Sequence, residues 1–153
     1  MKEKDRLVRQ LAGADRGPAW HGPSLGEVLE GVTSGTAAYH PIAGAHSVGE
    51  LVLHVTAWLD EAKRRLSEPA QDLTPEQDWP DFEGGEPAWQ AAMDALRGSE
   101  VRLESAVSEL PDDALDRKVA GTDYDVRFML HGVISHNLYH AGQIALLKKA
   151  RSL

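Results

Sequence analysis

Apolar residues recur along this chain at three- and four-residue intervals in four separated blocks, the pattern of amphipathic helices packed on a shared core. The first block, from Lys2 to about Ala12, carries Leu7, Val8 and Leu11 and predicts a short helix that stops in the Gly13–Gly17 region. The stretch GPAWHGPS, residues 17 to 24, holds two prolines and two glycines and breaks the pattern. Ser24 then caps a second piece in which Leu25, Val28, Leu29 and Val32 recur at helical spacing, so the first helix is read as two halves. Residues 33 to 45, around Pro41 and Gly44, read as mixed turns.

Ser47 followed by Glu50 is a capping box that opens a second helix running to about Leu66. His54 lies on or beside its apolar face, with Leu51, Val55 and Trp58 close by. Residues 67 to 86, with three prolines and a glycine pair, predict a long loop. A third helix, roughly Pro87 to Leu110, sets Trp89, Met93, Leu96, Leu103, Val107 and Leu110 on a heptad seam with one position missing. That position is Glu100. The fourth helix, Val126 to Ala150, ends in Lys148 and Lys149, where the negative end of a helix dipole favours cations. On it Met129, Val133, His136, His140, Gln143 and Leu147 share one side.

Composition narrows the chemistry. A chain of 153 residues predicts one domain over 1–153, and a net charge of -8 with a pI near 5.3 argues against nucleic acid or an anionic membrane surface as partner. No run approaches the ~18 apolar residues of a membrane span, and a cytoplasmic setting is the expectation. With no cysteine, a metal here must take imidazole, carboxylate or water.

His136 and His140 sit four residues apart inside an apolar stripe, about 40° apart round the axis, so both imidazoles can reach one ion. Two buried, hydrogen-bonded histidines would show the same spacing, and a third ligand is needed to separate the readings; His54 on the second helix can supply it. His131, about 140° round the helix from His136, is too far to join them, and His21, His40 and His46 read as loop or helix-end residues. Trp58 and Trp89 read as core fillers, and Gln143 as a hydrogen-bond partner for a backbone group or a ligand imidazole. Glu100, held at the seam by Leu96 and Leu103, is expected to face the interior as fourth metal ligand or as a catalytic base; the alternative is a seam-edge carboxylate that reaches solvent and pairs with Arg97.

The stretches GPAWHGPSL, PIAGAHSVGELVLHVTAW, the Trp79–Pro80 and Pro87–Trp89 region, and above all LHGVISHNLYHAGQIALLKKA, resemble the DinB-like (YfiT-like) family of metal-dependent proteins over nearly the whole chain. The resemblance implies an all-α four-helix bundle with a long crossover between helices two and three, and matches His54, His136 and His140 to the family's metal triad. The implied metal is Zn²⁺ or Ni²⁺. Some relatives look like hydrolases of small molecules and others are S-transferases that use a low-molecular-weight thiol such as bacillithiol or mycothiol; a non-catalytic metal-binding stress or interaction protein is the third class. A homodimer is expected as well, through apolar positions on helices one and three.

Overall fold

All four apolar blocks fold as helices, and most of their ends carry the signals read in the sequence. The computed structural model describes residues 2–150. Helix α1 spans Glu3–Arg16, somewhat longer than its apolar block, and stops at Gly17, whose φ of 76° suits glycine. A Cβ there would also lie 2.9 Å from the Glu27 carboxylate. The piece capped by Ser24 is a separate five-residue helix, α2 (Leu25–Leu29), rather than the second half of a long one, and it packs on α1 and on the last helix. A further short helix, α3 (Ser34–Ala38), capped by Thr33, lies in the stretch read as turns.

Helix α4 (Val48–Arg65) begins at Ser47, whose hydroxyl accepts from the Glu50 amide while the Glu50 carboxylate accepts from the Ser47 amide. The long connection that follows holds one helical turn, α5 (Pro75–Asp78), capped reciprocally by Thr74 and Gln77. Helix α6 covers Glu86–Glu109 and α7 covers Val126–Ala150. Asp125 caps α7 by accepting from the Phe128 amide at 2.7 Å. Among the described residues there is no strand beyond two isolated bridges, and no helix is long and apolar enough to cross a membrane.

Helix α4 packs against α6 and α7, and α1 also packs against α6 and α7, so α1 lies diagonal to α4 and α6 diagonal to α7. Leu7 and Leu11 of α1, Val52 and Leu59 of α4, Leu96 and Leu103 of α6, and Leu130 and Ile144 of α7 fill the space between them. Arg102, late in α6, donates to Asp60, late in α4, while Phe82, just before α6, lies against Gly49 at the start of α4. The two helices therefore run the same way, and residues 66–85 must travel back along α4 before α6 can begin. On that return path the connection lies over the start of α4, and this placement shapes the site.

Candidate metal centre

Three imidazoles meet where α4 faces α7. His54 and His140 are buried and His136 is half-buried, and their ligand nitrogens all fall within 4.8 Å of one another. His136 Nε2 lies 3.0 Å from His54 Nε2 and 3.1 Å from His140 Nε2. The outer nitrogens of His54 and His140 are held by acceptors, while Nδ1 of His136 is buried with no hydrogen-bond partner. The Asp78 carbonyl accepts from His54 Nδ1 at 2.6 Å, and the Gln143 side-chain oxygen accepts from His140 Nδ1 at 2.6 Å. With Nδ1 carrying the proton in both rings, their Nε2 lone pairs point at the shared centre, where lone pairs repel unless a cation or a proton lies between them. Burial first, and the two neighbouring imidazoles second, push His136 down to about 4, and burial lowers His140 as well. Neutral imidazole is the form that binds metal.

The long connection builds the outer wall. Asp78 places its carbonyl and its carboxylate on His54 Nδ1, the carboxylate at 3.1 Å, and the same carboxylate oxygen accepts from Trp58 Nε1 at 2.7 Å. Trp79 stacks on His54 with ring centres 3.8 Å apart, and His46 stacks on the opposite face of Trp79 at 3.6 Å. None of Asp78, Trp79 or His46 was singled out for this site by sequence; the Thr74–Gln77 cap announces a turn, and nothing in the pattern says where that turn docks. Trp58, read as a core filler, instead lines a cavity and holds Asp78, whereas Trp89 is buried as expected, donating from Nε1 to the Val32 carbonyl.

Two cavities flank the histidines. One, of about 290 Å³, is walled by Trp58, Tyr124, Phe128, Met129 and Gly132 and reaches His136. The other, of about 370 Å³, is walled by Ile42, His46, Trp79, Tyr139 and Leu146 and reaches His140 and Gln143. The first is apolar, because its one guanidinium, Arg65, is taken up by Glu61, the Tyr124 hydroxyl and the Gln71 carbonyl.

Glu100 faces the interior as expected, but it is not in the histidine group. It is buried, but its charged neighbours are Asp15 and Arg16 of α1 together with Glu104 and Arg97 of its own helix, and the nearest ion pair, to Arg16, is long at 3.9 Å. Arg97 pairs with Asp94 instead. The reason lies in the width of the seam. Leu96 and Leu103 face the core centre, the side of Ser99 and Arg102 turns toward α4, and the side of Glu100 and Glu104 turns toward α1. Burial pushes Glu100 up to about 8 and Asp15 to about 6. Asn137, next to His136 and fully buried, donates to Asp15 at 2.8 Å, so this acidic cluster lies behind the histidine site rather than within it. His131 also stands apart, beside His21 on the far side of α7.

A family model described as the DinB superfamily matches residues 20–144. No curated protein and no solved structure matches the chain.

Proposed function

The chain belongs to the DinB superfamily, and on that premise we propose that it is a divalent-metal-dependent enzyme acting on a small molecule, with His54, His136 and His140 as the metal ligands. The observation that carries this reading is the convergence of three Nε2 atoms whose partner nitrogens, in His54 and His140, are already held by Asp78 and Gln143. An all-imidazole donor set suits Zn²⁺ or Ni²⁺. When bound, such an ion keeps an open coordination position and supplies Lewis-acid chemistry to a water or a thiol.

The residues around it hold and shape. Asp78 and Gln143 fix the tautomers of two ligands, Trp79 shields one face of His54, and the apolar cavity beside His136 takes the hydrophobic part of a substrate. Two cavities of substrate size favour an enzyme over a non-catalytic metal-binding protein. The reaction is of the thiol-dependent S-transferase or the hydrolase type, in a cytoplasmic single-domain protein whose four long helices form the DinB-like bundle, with residues 67–86 as its crossover. Glu100 has no part in this proposal.

Metal analysis of the purified protein tests it, followed by activity screens with and without a low-molecular-weight thiol, against electrophiles and against esters and amides. One equivalent of Zn²⁺ or Ni²⁺ and metal-dependent turnover are expected. Protein that binds neither ion at micromolar concentration would overturn the metal assignment, and stoichiometric metal without turnover in either screen would favour the non-catalytic reading.

A further inference from the structure

Helices α4 and α7 pass each other in opposite directions, since His54 meets His136 and His140 while Arg65, at the end of α4, meets Tyr124, just before α7 begins. The cavity that reaches His136 runs along the groove between them. Imidazoles stand at one end. At the other stands Arg65, about three turns and about 16 Å of helix beyond His54. Trp58 forms the α4 wall, its ring 6.2 Å from that of His136 and 5.5 Å from the guanidinium carbon of Arg65. Tyr124 and Phe128 form the facing wall, with ring centres 5.5 Å apart.

Gly132 lies one turn before His136 and lines the same cavity. A Cβ there would meet nothing within 4 Å, so packing inside the chain gives no reason for glycine at a helical position where it disfavours the helix. Room for an occupant supplies one, because any side chain at 132 would narrow the cavity close to that imidazole.

The far end offers one hydrogen-bond donor. Arg65 donates from Nε to Glu61, from one amino nitrogen to the Gln71 carbonyl, and from the other to the Tyr124 hydroxyl oxygen at 2.8 Å. With its oxygen accepting, that hydroxyl still has its own hydrogen to give, and among the described residues none takes it. Accepting from a guanidinium also makes the hydroxyl a stronger donor, because successive hydrogen bonds polarise one another. Its best complement is an ionised oxygen. Charge agrees, since Arg65 also borders a hollow with Arg117, Lys118 and a single carboxylate, Glu68, which is paired with Arg64.

We propose that this groove binds a small aromatic carboxylate, its ring between Trp58 and Phe128, its carboxylate on the Tyr124 hydroxyl, and the opposite end of the molecule toward His136. A volume of about 290 Å³ is at the small end of ligand cavities and limits the body to a single ring with a short chain. Aromatic walls suit a ring, which stacks or meets them edge-on. Tyr124 selects the acid over its uncharged analogues, and Gly132 sets how much can lie beside His136. Calling the bound molecule a substrate rests on the metal-enzyme reading above; its binding does not.

Titration of the full chain with 3-phenylpropionate, followed by ligand-observed NMR at neutral pH, tests this, with ethylbenzene as the probe that lacks the carboxylate. Tyr124→Phe removes only the hydroxyl and should weaken 3-phenylpropionate by about 10- to 100-fold, the effect of losing a hydrogen bond to an ion, while ethylbenzene binds as to the wild type. Gly132→Leu, with an unchanged helical spectrum, should bind neither. A carboxylate seated on a metal instead is told apart by His54→Ala, which removes a metal ligand outside the cavity walls and should bind 3-phenylpropionate like the wild type. No binding at millimolar probe, equal affinity in Tyr124→Phe, retained binding in Gly132→Leu, or loss in His54→Ala would each overturn the proposal. A protein that binds no metal but keeps the Tyr124 dependence overturns the enzyme reading alone; one that binds metal without that dependence overturns this proposal alone.

Discussion

Trp79 lies flat on His54, ring centres 3.8 Å apart and planes 6° apart, so a residue of the long connection forms one wall of a site whose three imidazoles come from two helices. Its other face carries His46, at 3.6 Å and 5°. Trp79→Ala removes both stacks and opens His54 to water. Each aromatic pair contributes ~0.5–1.5 kcal/mol beyond burial, so a stability loss of about 1–3 kcal/mol is expected in denaturant titration, together with weaker metal binding by calorimetry. Unchanged metal affinity would show that Trp79 only fills space.

Replacing His54, His136 or His140 with alanine is expected to abolish stoichiometric Zn²⁺ or Ni²⁺ binding, while His131→Ala binds like the wild type. Gln143→Ala frees the outer nitrogen of His140 and should weaken binding by about 10- to 100-fold, the usual effect of losing a partner behind a ligand. Equal metal content in all these variants would refute the ligand set.

A Cβ at position 49 would sit 2.2 Å from the Phe82 ring. Gly49→Ala must therefore push Phe82 away, and Asp78 and Trp79 belong to the same connection. Overpacking of this kind costs about 1–3 kcal/mol. Thermal melts should show that loss, and metal titration should show weakened binding although no ligand has been touched. A variant with wild-type affinity would mean that the connection moves without disturbing Asp78.

Glu100 is held well above the ordinary carboxylate range, at about 8, by burial first and by the Asp15 charge second. The folded state thus binds this proton more tightly than the unfolded chain does, so its contribution to stability is complete below the unfolded pKa, near 4.5, and is lost as pH rises through about 8. Glu100→Gln, which stays neutral, should match the wild type near pH 4.5 and exceed it by about 1–3 kcal/mol near pH 9, the scale of a poorly satisfied buried polar group. Parallel denaturation curves for the two proteins across that range would show that the carboxyl titrates normally.

Helix signals were legible in the sequence because they are local. The Ser47–Glu50 box, the spacing of Leu96, Leu103 and Val107, and the run from Val126 to Ala150 depend on residues within a turn or two of each other, and the structure keeps them with small changes at the ends. The pairing of His136 with His140 is local in the same sense, since one helix sets the angle between them. Gln143 was legible for that reason as well, lying one turn beyond His140.

What periodicity could not supply is which neighbour each side of a helix meets. It placed Glu100 inside the molecule but could not tell the α1 side of a buried seam from the α4 side, because both are equally apolar at Leu96 and Leu103. It placed His54 near the core, while its approach to His136, 82 residues away, depends on how α4 and α7 pack. Asp78 and Trp79 were beyond it altogether, since a proline-rich connection has no periodic face and its docking is fixed by contacts far along the chain, such as Phe82 on Gly49, and His46, just before the α4 cap, joins the site only through its stack on Trp79. Sequence by itself determined the helices, the fold class and two facing imidazoles, all governed by interactions within a few residues. Tertiary structure alone decided how the third imidazole, its carbonyl partner and its aromatic wall come together, because those depend on the relative placement of packed elements, which the 3.6-residue period does not encode.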